Sequence, residues 1–128
     1  MNTIAIIGSR DWPSQKSQVI VHYVNELPSN SVVVVGGWWV KNRNADMVEP
    51  TRGVDRIAAD AARKRGLQVV VVPADFDRYN RQAGLRRNPV IIDLGGKVAA
   101  FWNGNSRGTA HGIEYAQGKG IPIEIYKP

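Results

Sequence analysis

The sequence predicts an α/β fold: a three-layer sandwich with helices on both faces of a mainly parallel, five-stranded sheet. Three observations point there. Short β-branched runs such as Ile4–Ile7, Val32–Val35 and Val69–Val72 show no polar alternation, as in strands covered on both faces. Stretches of helical period separate them, which makes each return a βαβ crossover. The strand-length runs end in Gly-, Ser-, Asp- or Asn-containing segments of the kind that turn the chain.

In chain order, Ile4–Ile7 is the first strand and runs into the turn Gly8-Ser9-Arg10. Ser14 then reads as a helix N-cap, with Val19, Ile20, Tyr23, Val24 and Leu27 at helical spacing and Pro28 and Asn30 closing the helix. Val32–Val35 is the second strand, stopped by Gly36-Gly37. From Trp38 to Thr51 no period is evident, so this segment is expected to be a loop or insertion of a length that is usually functional or disordered. Helical period resumes at Val54 and ends with Lys64-Arg65-Gly66, a C-terminal stop signal. Leu67–Val72 is the third strand. A helix is expected over 83–94, with Pro89 near its start or kinking it. Val98–Trp102, a helix over Gly108–Gly118, and the strand Ile121–Tyr126 complete the chain. No internal repeat or linker divides residues 1–128, so one domain is expected.

The chain has 128 residues, a net charge of +6 and a pI near 10.0, a balance suited to nucleic acid or to an anionic small molecule. There is no cysteine, which excludes disulfides and thiolate metal sites and fits a reducing compartment. Two histidines without clustered carboxylates give no metal-ligand spacing, and no cofactor is expected. The first residues lack a basic leader, and the apolar runs are strand-length, so a cytoplasmic location without membrane contact is expected.

In open parallel sheets, ligands bind beyond the carboxyl ends of the strands. The loops there carry Gly8, Ser9 and Arg10, then Gly36 and Gly37, then Asp75, and finally Ser106, Arg107, Gly108 and Thr109. Glycine lets backbone N–H groups approach an anion, and the helix opening at Gly108-Thr109 adds about half a positive charge at its start. Ser106, Gly108 and Thr109 are therefore expected to form a phosphate cradle, with Arg107 adding charge or facing away; the alternative is a tight strand–helix turn that needs glycine for geometry alone. Arg52, Gly53 and Asp55 open another helix, with Arg52 placed to reach a phosphate and Asp55 to accept from a ribose hydroxyl or to cap the helix. Glu49 and Asp46 are weaker candidates in the preceding loop. His111 lies in the first turn after Gly108-Thr109, near the expected ligand, whereas His22 reads as a surface residue. Trp38, Trp39 and Trp102 fall at strand ends, where they stack on a base or pack as a lid. Neither G-x-G-x-x-G nor the P-loop motif occurs, so a conventional NAD site or ATPase is not expected.

At this level the order of motifs resembles a family. Ile7-Gly8-Ser9-Arg10, Gly36-Gly37, Arg52-Gly53-Val54-Asp55-Arg56, Pro73 to Tyr79, Ala83-Gly84, Arg87-Asn88 and Ala100 to Thr109 follow the sequence of YspA/YpsA-related SLOG domains over nearly the whole chain. That superfamily includes DprA DNA-processing proteins, LOG-type phosphoribohydrolases and molybdenum-cofactor carrier proteins. The resemblance implies a Rossmann-like fold and a site for a nucleotide or ADP-ribose-like ligand, with Arg87 and Asn88 joining the residues above. It also implies a phage or mobile-element setting, and homo-oligomers are common among related domains. Three functions follow: sensing or sequestration of a nucleotide-derived ligand, cleavage or transfer at a nucleotide N-glycosidic bond, and DprA-like binding of single-stranded nucleic acid. Two departures stand out. Residues 38–51 separate Gly-Gly from the Arg-Gly-x-Asp turn, offering a lid or an oligomer contact. Gly112 occupies the position of the LOG-type catalytic glutamate, and Glu114 lies about 200° around the helix. A catalytic role would then fall to Asp55 or Asp75.

Overall fold

In a computed structural model, which describes residues 2–40, 47–74 and 83–128, six strands and four helices appear among the described residues. Strand β1 (Asn2–Gly8) leads through a 3-10 turn (Ser14–Lys16) into helix α1 (Ser17–Asn25) and strand β2 (Ser31–Val40). Strand β3 (Met47–Pro50), helix α2 (Val54–Lys64) and strand β4 (Gln68–Pro73) follow. Helix α3 (Ala83–Gly95), strand β5 (Val98–Phe101), helix α4 (Arg107–Gly118) and strand β6 (Ile123–Tyr126) end the order.

The parallel strands lie in the order β4-β2-β1-β5-β6. Alternate residues of the central strands feed two cores. Ile4, Ile6, Val33, Val35 and Phe101 pack with Ile20 and Val24 of α1 and the alanines of α2. Ala5, Ile7, Val34, Val98 and Ala100 pack with Ile91 and Ile92 of α3 and Ile113 and Ala116 of α4. This is the expected three-layer sandwich, with apolar side chains on both faces of the sheet and no polar alternation between them.

Among the described residues the sheet has six strands rather than five. Gly36-Gly37 does not stop β2, which runs through both glycines to Val40 and pairs antiparallel with β3, Trp38 facing Glu49 and Val40 facing Met47. The expected loop over 38–51 is therefore, in its described part, a β-hairpin; residues 41–46 lie outside the described residues. β4 follows β2 only as far as Gly37, so the hairpin continues past the carboxyl edge of the parallel sheet. Arg56 of α2 fastens its base, donating to Glu49 Oε2 at 3.3 Å and to the carbonyl of Pro50 at 3.2 Å.

Ser14 does not cap α1; it opens the 3-10 turn, and Ser17 Oγ donates to its carbonyl at 2.8 Å. Pro89 lies inside α3 rather than near its start, which leaves the Leu85 carbonyl without the N–H it would otherwise receive. Arg65, just after α2, donates to the carbonyls of Val24 and Leu27 at 2.7 and 2.8 Å and so fastens the end of α1 to α2. No helix among the described residues is long and apolar enough to cross a membrane.

Candidate functional site

The connections leaving β1 and β5 run in opposite directions, α1 towards β2 and α4 towards β6. At such a switch point, two neighbouring strands part their loops and leave a crevice at the carboxyl edge. Here the crevice is a cleft of about 500 Å³. Ile7, Gly8, Arg10 and Asp11 line it from β1 and its loop, and Thr51 and Asp55 from the entry to α2. Leu85, Arg87, Asn88 and Ile91 of α3, with Ser106, Gly108 and Thr109 at the head of α4, close the rest.

The head of α4 is built by the loop that precedes it. Asn103 Oδ1 accepts from the N–H groups of Asn105 and Ser106 at 2.8 and 3.0 Å, folding the loop back on itself. Ser106 is the N-cap: its Oγ lies 3.0 Å from Thr109 Oγ1 and accepts the Thr109 N–H at 3.4 Å. Trp102 Nε1 holds the Ser106 carbonyl at 3.0 Å. The N–H groups of Arg107 and Gly108 are left without an acceptor among the described residues, as first-turn amides are. They carry the positive end of the helix dipole at the edge of the cleft. Asn88 Nδ2 donates to the Gly108 carbonyl at 2.9 Å and so ties α3 to this turn.

Ser9 joins the three loops. Fully buried, it accepts the Asn103 N–H on its Oγ at 3.2 Å and the Val54 N–H on its carbonyl at 3.2 Å. Gly53 makes the second contact possible. Its φ is +81°, and a Cβ there would fall 2.5 Å from the carbonyl oxygens of Ser9 and Arg10. Asn103 Nδ2 also donates to Asp11 Oδ1 at 2.7 Å. The loops after β1 and β5 and the start of α2 thus form one bonded frame.

Three charges meet at this frame. Asp55, in the first turn of α2, is 8% exposed. Burial pushes its carboxyl up to about 7, against the opposing pull of Arg87, then Arg10, then the Thr51 hydroxyl. Neither arginine makes a direct ion pair with it among the described residues, so both guanidinium groups act through space. Arg87 is itself largely buried, which lowers its pKa, and Asp55 counters the loss. Its Nη1 donates to the Gly37 carbonyl at 2.9 Å, while Nε has no partner among the described residues. The hydroxyl of Thr51, a residue 2% exposed, sits near enough to the Asp55 carboxyl to oppose its shift, but no atom of the described residues meets it with hydrogen-bond distance and angle, so its Oγ1 is also unsatisfied.

Of the residues expected at the site, Gly8, Arg10, Asp55, Arg87, Asn88, Ser106, Gly108 and Thr109 line the cleft. Ser9, Gly36 and Gly53 stand behind it as supports: Gly36 gives Arg87 its place, and the other two join the loops. Gly37 packs against Val71 and the Glu49 backbone. Arg52, Arg107 and His111 are exposed and not among the lining residues. Asp75 and Asp46 lie outside the described residues. Glu49 is held by Arg56, and Glu114 is exposed on α4 while Gly112 packs against Ile7. Thr51, Asp11, Leu85 and Ile91 were not expected. Nothing in a lone Thr before Arg52 signals burial; it follows from the junction of β3 with α2. Among the described residues, no three His, Asp or Glu side chains gather as a metal site.

No family model matches the chain. Among solved structures it is similar to DNA processing protein A (DprA) from Streptococcus pneumoniae, with a TM-score of 0.76 and 18% identity, covering 98% of this chain and 50% of that one. It is also similar to DNA processing protein A from Helicobacter pylori, described for its single-stranded DNA binding mode, with a TM-score of 0.65, 20% identity, and coverage of 95% and 63%. The chain therefore spans half to under two thirds of those proteins, and shares their fold. Over nearly the full length of both sequences, 131 aligned positions covering 96% and 94%, it is 31% identical to the Gene 61 protein of Mycobacterium phage D29. The chain belongs to the family of that phage protein, carried on the fold seen in the DNA-processing proteins.

Proposed function

We propose that this protein binds single-stranded nucleic acid, seating a backbone phosphate at the head of α4. The observation that carries this reading is the unbonded first turn of α4, where Gly108 lines a cleft that also holds Arg10 and Arg87 and the free Arg107 amide lies beside it at the rim. Aligned N–H groups and two guanidinium groups make a seat for an anion, and an oxyanion of a phosphodiester fits it without any base contact. Exposed Arg52 and Arg107, and the net charge of +6, extend attraction beyond the cleft. The likeness to DNA processing proteins, one of them described with single-stranded DNA, supports the same choice. The order of motifs further supports a place in the YspA/YpsA-related branch, with residues 1–128 acting as one domain.

The test is fluorescence anisotropy with an internally labelled oligodeoxythymidine over a series of NaCl concentrations. With one phosphate neutralised in the cleft and one each by exposed Arg52 and Arg107, the log–log slope is expected at about −2, since each contact on a single strand contributes about −0.7. Binding that is absent, or insensitive to salt, overturns the proposal.

A second reading, a free nucleotide or ADP-ribose-like ligand, is favoured by the cleft itself, whose 500 Å³ suits one small ligand. Thermal stabilisation by AMP or ADP-ribose, with no affinity for the oligonucleotide, selects it instead.

A further inference from the structure

The cleft has a second polar region that the phosphate seat does not use. Among the described residues, Thr51 Oγ1 and Arg87 Nε are both buried and without hydrogen-bond partners, and the Asp55 carboxyl lies with them. Thr51 is 2% exposed, so no bulk water compensates its hydroxyl. A buried donor or acceptor left open is costly, and such a group persists where something occupies the site in use. The set comprises one N–H donor, one carboxyl and one hydroxyl that plays either role. That is the complement of a hydroxyl group, which accepts and donates at once. A base edge, by contrast, offers a fixed pattern that differs from base to base.

Resting on the nucleic-acid reading above, we infer that Thr51, Asp55 and Arg87 form a subsite for a free sugar hydroxyl. On a DNA strand the cleft then takes the terminal nucleotide. An internal deoxynucleotide has both sugar oxygens locked in phosphodiesters and offers the subsite no hydroxyl. A terminal one keeps its own phosphate for the head of α4 and presents its hydroxyl to Thr51. The cleft's volume, sized for one small ligand, agrees with a single nucleotide.

The experiment compares an internally labelled linear oligodeoxythymidine carrying 5′-phosphate and 3′-hydroxyl with three others of equal length. These are a covalently closed circle, a strand ending in 2′,3′-dideoxythymidine, and a strand with 5′-hydroxyl and 3′-phosphate. The circle, which has no free hydroxyl, is expected to bind about tenfold more weakly than the linear strand, the worth of one well-made hydrogen-bonded group. The dideoxy strand and the 3′-phosphate strand, neither of which carries a 3′ hydroxyl, are both expected to bind like the circle. Thr51→Val is expected to erase the difference between line and circle, and Thr51→Ser to restore it. Equal affinity for linear and circular strands overturns the inference while leaving strand binding intact. A preference that survives Thr51→Val, or that tracks base identity instead of the terminus, overturns it too. Failure of every strand to bind removes the nucleic-acid reading itself.

Discussion

The guanidinium of Arg87 lies against the bare Cα of Gly36: a Cβ at that position would fall 2.7 Å from Arg87 Cζ and 3.0 Å from its Nε and Nη2. Glycine at position 36 is thus part of how the cleft holds its buried cation. A methyl group there must push the guanidinium aside and strain its bond to the Gly37 carbonyl. Gly36→Ala is expected to fold, because the obstructing atoms are the end of a side chain. It should lose about 1.5–3 kcal/mol in urea unfolding, the worth of one charged hydrogen bond, and bind oligonucleotide about tenfold more weakly in anisotropy titrations. Unchanged affinity would show that Arg87 does not face the ligand.

Asp55 makes stability depend on pH in the direction opposite to an ordinary ion-paired carboxylate. Its carboxyl in the folded protein is pushed up to about 7 from the 3.8 of a free side chain, with Arg87, Arg10 and Thr51 opposing the shift. Between those values the folded protein holds a proton that the unfolded chain releases. Stability therefore falls as pH rises from about 4 to about 7, by at most about 4 kcal/mol, and is flat above. The difference in urea-unfolding free energy between wild type and Asp55→Asn should change across this window and level off beyond it. A constant difference from pH 4 to pH 8 would contradict the burial argument.

Gly108 separates fold from function. A Cβ there would meet only Asn88 Nδ2, at 3.9 Å, so the space above it is open. Gly108→Val should change the unfolding free energy by less than about 1 kcal/mol. The added side chain projects beside the unbonded amides, and oligonucleotide affinity should drop at least about tenfold. Normal binding by this variant would move the anion away from α4.

Much of the parallel sheet was legible because its strands are β-branched and its helices are periodic. Ile4–Ile7, Val32–Val35 and Val69–Val72 all lie within strands, and Val54 and Gly66 bracket α2. The continuation of β2 was not legible. Gly36-Gly37 reads as a stop, yet in the sheet these residues lack side chains because Arg87 lies over one and the Glu49 backbone and Val71 crowd the other. That reason exists only in three dimensions. The same holds for the site. Ser106, Gly108 and Thr109 announce a capped helix start in one dimension, and Arg87-Asn88 stood out by resemblance. Thr51 and Asp11 carry no such signal; their places depend on how β3 meets α2 and on the bond from Asn103. Ser9 looked like a phosphate ligand but is turned inward to hold the loops together.

The most direct test of the cleft as the seat of a nucleic-acid phosphate is a ¹H–¹⁵N titration of the protein with unlabelled oligodeoxythymidine. The expected result is that the backbone amides of Arg107 and Gly108 shift most, together with the side-chain N–H of Arg87. Strand binding that leaves these signals in place and shifts the amides of β6 or α1 would contradict it.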